Sequence, residues 1–219
     1  ARVAFLEERK AIAEELAHRQ REREEQERVE GEARRREALR TADPLAFIPL
    51  ASPQYVRPDW LASLASVFER IAAGERVRVL LSVPAQHTKT ESILHFIVWL
   101  LKRRPSWPVA YVTYSQAQAD KKSLVAQRIA RSTGTVTDDA RSTMQNWSTA
   151  EGGGAMFTAI GGPLSGNGQR AVIVDDPYKN RIEADSALIR SRVEEWFTSV
   201  VITRLPETGS CVVVHTRWH

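Results

Sequence analysis

The chain contains a single cysteine, no proline before Pro44, and no apolar run longer than the six residues Phe96–Leu101. One cysteine, Cys211, cannot form an internal disulfide, which excludes a disulfide scaffold and fits a reducing, intracellular setting. The six-residue run falls far short of the roughly 20 apolar residues that span a bilayer. The N-terminus is charged and has no apolar signal core, so no secretion signal is expected. Glycine is scarce as well, and seven of its 11 occurrences fall between Gly152 and Gly168.

What is present defines a globular chain. Hydrophobic residues make up 42% and charged residues 26% of 219, enough for one domain with a real core and an appendage. The net charge of +4 is unevenly placed. Residues 1–42 hold 11 basic and 11 acidic residues, whereas the remaining 177 hold 20 and 16. A mild basic excess permits contact with a polyanion but does not require it.

Residues 1–40 are rich in Ala, Glu, Arg, Leu and Gln, all good helix formers. Spacings such as Glu15–Arg19 and Glu24–Arg28 add pairing across one turn. His18 to Arg28 contains no large apolar side chain, so the pattern predicts a long solvated helix or helical pair, most simply an arm without chemistry. Pro44, Pro49, Pro53 and Pro58 then predict an extended linker. A helix is expected over Asp59–Ile71, stopped by Gly74.

Alternating elements follow. Val77–Val83 reads as a buried strand, about Thr90–Arg104 as a helix, Val109–Tyr114 as a strand and Gln116–Ser132 as a helix. Short antiparallel strands and turns are expected in the glycine-rich region. Ala171–Val174 reads as a core strand, Glu183–Val200 as a helix and Cys211–His215 as a last strand. Continuous Val/Ile strands separated by helices predict an α/β fold with a mostly parallel central sheet flanked by helices.

Two segments carry chemistry. In Ser82-Val-Pro-Ala-Gln-His-Thr-Lys-Thr90 a strand leads through a loop into a helix that opens with Lys-Thr, the context of a phosphate-binding loop. Lys89 would reach the β- and γ-phosphates and Thr90 would bind Mg²⁺. Thr88 stands where the usual glycine precedes the lysine, so a lysine near a helix cap is an equal reading. In Ala171-Val-Ile-Val-Asp-Asp176 a strand ends in two carboxylates, the pattern of a Walker B element. Asp175 would hold Mg²⁺ and Asp176 would orient and deprotonate water; a turn pair before Pro177 is the plainer alternative. Both elements, each at a strand's C-terminal end, point to a nucleotide site.

With Thr113-Tyr-Ser115, Gly161-Gly-Pro-Leu-Ser-Gly166, Val174-Asp-Asp-Pro-Tyr-Lys179, Thr203-Arg-Leu205 and Thr216-Arg-Trp-His219, the region from about Tyr55 to His219 resembles the N-terminal ATPase domain of the large subunit of tailed-phage DNA-packaging terminases. The resemblance implies a P-loop NTPase of the ASCE type over residues 43–219, preceded by the arm at 1–42. It implies an ATP hydrolase using ATP and Mg²⁺, driving double-stranded DNA into a procapsid. The implied partners are DNA, the portal protein, the small terminase subunit and further copies of the chain in a ring of five, with no membrane. The implied location is the host cytoplasm and the portal vertex. The C-terminal nuclease domain of such proteins is expected to be absent from this chain, which would then not cut DNA.

The same resemblance assigns Gln86, His87, Thr88, Lys89 and Thr90 to the phosphate loop, Thr216 to the motif that couples hydrolysis to motion, and Tyr55, Arg57 and Trp60 to the adenine. It calls for an arginine acting on a neighbouring subunit. Arg170 is the nearest candidate before Asp175, with Arg204 and Arg217 competing and a surface role the simpler reading of Arg170.

Three departures stand out. Thr88 must avoid positive φ or carry strain of roughly 1–3 kcal/mol. Gln86 replaces a basic residue common in relatives. Asp176 is one methylene shorter than the usual Glu, so an attacking water must sit closer to the strand or Glu91 must help. Trp99, Trp107 and Trp196 read as core. Lys121, Lys122, Arg128 and Arg131 read as a solvated helix face, with DNA contact the alternative. His215, His219 and Cys211 do not make a zinc set. A P-loop phosphotransferase and a non-catalytic nucleotide-binding module are the competing functions.

Overall fold

A computed structural model describes residues 2–84, 87–135, 137–138, 142–164 and 168–216, without the side chains of residues 2–14, 137 and 138. The chain divides into two units, Ala1–Thr41 and Ala42–His219. Among the described residues no helix is long and apolar enough to cross a membrane.

The first unit is one continuous helix, α1 (Arg2–Thr41). Its side chains from Glu15 to Glu37 are nearly all exposed. Arg19 pairs with Glu15 at 2.6 Å, Arg28 with Glu25 at 2.6 Å and with Glu32 at 2.7 Å, and Arg40 with Glu37 at 2.7 Å. One-turn pairs and good helix formers support this helix locally, in place of an apolar stripe.

The second unit opens with a correction. Instead of an extended linker, Pro44–Ala51 forms a helix, α2, that buries Phe47 and Ile48. Pro44 occupies the first turn, where a missing N–H costs nothing, and the Asp43 carboxylate caps the helix by accepting from the Ala46 N–H at 2.8 Å. α3 (Leu61–Ala72) buries Leu61, Leu64, Phe68 and Ile71 and is followed by Gly74 at φ +92°.

The strands are β1 (Arg78–Ser82), β2 (Pro108–Thr113), β3 (Thr137–Asp138), β4 (Asn146–Thr149), β5 (Gly154–Ala159), β6 (Ala171–Asp175) and β7 (Ser210–His215). They form one sheet in the order β1-β7-β6-β2-β5-β4-β3. The first five in that order are parallel; β4 and β3 add antiparallel strands at the far side. The glycine-rich region therefore supplies more than hairpin strands, because β5 joins the parallel sheet beside β2.

α4 (Lys89–Arg103) follows β1, and α5 (Gln116–Ser132) follows β2. α4 is buried almost all round, packed against α2, α3 and α5. On the other side of the sheet, Ala110, Val112, Val172, Val174 and Cys211 pack with Trp196 and Val201. Those last two lie at the end of α7 (Ala187–Trp196) and in a π-helical turn, Phe197–Val201. The single helix expected over 183–200 is thus broken into α6 (Arg181–Asp185), α7, the π-helical turn and α8 (Ile202–Arg204). Asn180 and Ser186 each cap a new helix start, which explains the break after Asp185.

β6 is buried at every residue, as a strand covered on both faces should be. β1 is not. It is the sheet edge, and Leu80 is 68% exposed, so the buried strand expected at 77–83 is half-solvated. Trp99 and Trp196 are buried, whereas Trp107 is half-buried under the guanidinium groups of Arg104 and Arg170. Burial pushes the Cys211 thiol up to about 11.

Candidate functional site

Parallel strands end at one edge of the sheet, and there β1, β7 and β6 deliver their chain ends side by side. The loop after β1 enters α4 at Thr88, which precedes the first helical residue, Lys89. β6 ends at Asp175, with Asp176 next. β7 lies between them and leads to Thr216. Lys89 therefore has to cross only the end of one strand to reach Asp176.

It does so. Lys89 Nζ lies 2.6 Å from each carboxylate oxygen of Asp176 and also donates to Thr216 Oγ1. The Thr216 N–H donates to Asp176 Oδ1 at 2.8 Å, and the Asp176 N–H donates to the Val214 carbonyl at 2.9 Å. One residue along, Thr90 Oγ1 donates to Asp175 Oδ2 at 2.7 Å. The Tyr111 hydroxyl donates to the same oxygen at 2.8 Å.

Asp175 is 2% exposed, and Asp175 Oδ1 is buried with no hydrogen-bond partner among the described residues. Burial raises its carboxyl to about 6, against the opposing effect of the Thr90 hydrogen bond. Burial and the neighbouring Asp175 together push the Tyr111 phenol well above its usual value.

Backbone strain concentrates here. Among the described residues the only non-glycine positions with positive φ are Thr88 (+56°) and Asp176 (+48°). The threonine that replaces the expected glycine thus adopts the left-handed conformation. Such positions typically cost about 1–3 kcal/mol, and a β-branched residue is the harder case. The Thr88 hydroxyl donates to the His87 carbonyl at 2.7 Å.

The other expected residues are placed as follows. Tyr55 reaches the start of α4, its hydroxyl 2.7 Å from Ser92 Oγ and 3.3 Å from Thr88 Oγ1. Trp60 precedes α3, with a buried indole N–H that has no partner among the described residues. Arg57 is exposed. His87 lies in the loop, and Gln86 falls outside the described residues. A cavity of about 560 Å³ beside Thr90 is lined in part by Ser52, Gln54, His95, Lys122 and Arg128. Ser52 Oγ lies 2.8 Å from His95 Nε2, and His95 Nδ1 is 2.8 Å from the Glu91 carbonyl. A carbonyl only accepts, so Nδ1 carries the proton and Nε2 accepts from Ser52.

Arg170 is not brought to this edge. It precedes β6 at the N-terminal end, stacks on Trp107 and donates to Thr208 Oγ1 at 2.6 Å. Six residue steps along the strand direction separate it from Asp176, about 20 Å at 3.3 Å each. Arg204 lies at the same far end, where its carbonyl accepts from the Gln169 N–H, and Arg217 is outside the described residues.

Sequence reasoning missed Tyr111, Ser52 and Gln54. Residues Val109, Tyr111 and Thr113 alternate onto one face of β2, but only the pairing of β2 with β6 reveals that this is the face of Asp175.

Chemically, the edge offers a lysine at a helix start for an anion. For a hard divalent cation it offers an unpartnered buried carboxylate oxygen beside a hydroxyl. The residues present fit Mg²⁺ with a phosphate.

One strand inserted between the strand that leads to the lysine and the strand that ends in the aspartates is the arrangement of a P-loop NTPase. That is the fold class of this chain. Among solved structures, the fold is similar to that of the HK97 bacteriophage large terminase, with a TM-score of 0.56 and 13% identity over 80% of this chain. The chain spans 37% of that protein's length. The ATPase domain of the Thermus phage P74-26 large terminase aligns with 77% of this chain and 67% of its own, at a TM-score of 0.46 and 16% identity. No family model and no curated protein matches the sequence.

Proposed function

We propose that the chain is the ATPase motor domain of a viral terminase large subunit, hydrolysing ATP to drive double-stranded DNA into a procapsid. The observation that carries this reading is the convergence of Lys89, Thr90, Asp175, Asp176 and Thr216 at one sheet edge. The motif series from Pro84 to His219 supports the terminase reading within that class, and the shared fold is consistent with it. Double-stranded DNA, the portal protein, the small terminase subunit and a five-membered ring of this chain are the partners of this proposal. The host cytoplasm and the portal vertex are its location.

The triphosphate of ATP sits at the start of α4, within reach of Lys89 and the free backbone N–H groups of the first turn. Thr90 and Asp175 would hold Mg²⁺, which would supply positive charge to neutralise the phosphates. Lys89 is engaged by Asp176 and Thr216. Phosphate oxygens that take over Lys89 release the Asp176 carboxylate, which then orients the attacking water and accepts its proton. Thr216, bonded to both partners, registers the exchange. Tyr55, Arg57 and Trp60 face the adenine in this reading, and His87 and Thr88, with Gln86 by its place in the sequence, are assigned to nucleotide binding. Arg170 cannot serve its own site from the far end of β6; as a catalytic arginine it acts on a neighbouring subunit.

ATP hydrolysis by the wild type and by Lys89→Ala, with and without double-stranded DNA, tests the reading. Turnover is expected in the wild type and lost in the variant; equal turnover in both would overturn it. Transfer of phosphate to a small acceptor would identify a phosphotransferase. Nucleotide binding without phosphate release, even in an assembled ring, would identify a non-catalytic module, the outcome that strain at Thr88 favours.

A further inference from the structure

We infer that Tyr111 is a positioning residue for the divalent cation, holding the Asp175 carboxylate so that one oxygen is left for the metal. The inference rests on the ATPase reading above and concerns a residue outside the phosphate loop and the paired aspartates.

Three observations support it. Tyr111 and Thr90 both donate to Asp175 Oδ2, at 2.8 and 2.7 Å, from two different elements, β2 and α4. Two donors arriving from different directions restrict rotation of the carboxylate about its Cβ–Cγ bond. Asp175 Oδ1, by contrast, is buried without a partner among the described residues. An unpaired carboxylate oxygen in a water-poor site is costly, and a cation is the natural group to satisfy it.

The phenol is itself fixed. Tyr111 is 1% exposed, and its ring packs against Phe157 of β5 with centroids 5.0 Å apart. The neighbouring parallel strands set its height: Tyr111 is opposite Ile173, two residues short of Asp175 on the same face of β6. A tyrosine spans that diagonal, and its hydroxyl ends at the carboxylate. A phenylalanine would fill the same space and leave the carboxylate with Thr90 alone. Thr90 must also serve the cation, so the structure assigns to Tyr111 the task of holding Asp175 while Thr90 is shared.

Outer residues that orient metal ligands typically contribute 10-fold to 100-fold in metal affinity. The test is Mn²⁺ binding to the protein with ADP, read from the loss of the free Mn²⁺ electron paramagnetic resonance signal. ADP binding in EDTA serves as the metal-free control. Tyr111→Phe is expected to weaken Mn²⁺ binding roughly 10-fold or more, with metal-free ADP binding unchanged. Added Mg²⁺ should restore its ATPase rate, with the half-saturating concentration raised in proportion. Phe157→Leu disturbs the ring packing but keeps the hydroxyl, and should retain wild-type Mn²⁺ affinity. Equal Mn²⁺ affinity in wild type and Tyr111→Phe would overturn the inference, as would an equal loss in both variants, which would trace the effect to packing. A wild type that binds no Mn²⁺ with ADP would remove the ATPase reading, and the inference with it.

Discussion

The arm and the site contain ion pairs of the same length in opposite surroundings. Arg28 lies 2.6 Å from Glu25 with a side chain 58% exposed, and Lys89 lies 2.6 Å from Asp176 with a side chain 7% exposed. Along α1 the solvent already satisfies each charge, so a pair adds little and salt weakens it further. At the sheet edge, water is largely excluded and each charge depends on its neighbour. Distance therefore does not rank these contacts; the medium around them does.

The sharpest way to break this contrast is Lys89→Ala. Removing the Lys89 ammonium takes away the positive side chain at the helix start that offsets the developing negative charge on a phosphate, and turnover should fall roughly 100-fold to 1000-fold or more. A phosphate-release assay checks this.

Next comes Asp175→Asn, which should separate stability from activity. The Asp175 carboxyl is raised from 3.8 to about 6, so the folded state binds this proton more tightly than the unfolded state. That contribution is complete below about pH 4 and is lost as the pH rises through 6. At pH 8 without divalent metal, the variant should exceed the wild type by about 1–3 kcal/mol in urea unfolding, with the difference gone near pH 4. ATP hydrolysis should nevertheless be abolished.

Thr88→Gly is a smaller perturbation at the same edge. Relief of the left-handed threonine outweighs the added chain freedom of glycine, and a gain of about 0.5–1 kcal/mol in stability is expected by calorimetry. Smallest of all is Arg28→Ala in the arm. It should leave the thermal midpoint of the globular unit unmoved and reduce helical ellipticity only slightly, an effect that high salt reproduces in the wild type.

The main architecture could be read from the sequence because apolar runs and helix periodicity are local signals. Lys89-Thr90 and Asp175-Asp176 were legible as strand-to-helix and strand-to-loop junctions, whose shared edge follows from parallel strands. Other features depended on information that a linear pattern lacks. Pro44 marks a break in most contexts, yet with Asp43 capping it starts α2. Val79 and Leu81 suggest burial on one face of β1, but only the strand order makes it an edge and exposes Leu80. Tyr111 carries no local signal beyond its place in a strand, and only the pairing of that strand with β6 brings it to Asp175. Arg170 is near Asp175 in number and far from it in space, because a strand carries its two ends to opposite sides of the sheet.

The lone cysteine provides a built-in clock. Cys211 sits on β7, between the strand that leads to Lys89 and the strand that ends in Asp175, with its thiol enclosed and strongly protonated. An alkylating reagent can reach it only when β7 loosens from its neighbours. The rate of labelling therefore times how often this side of the sheet opens, and a nucleotide that ties the two strands flanking β7 together should slow the clock.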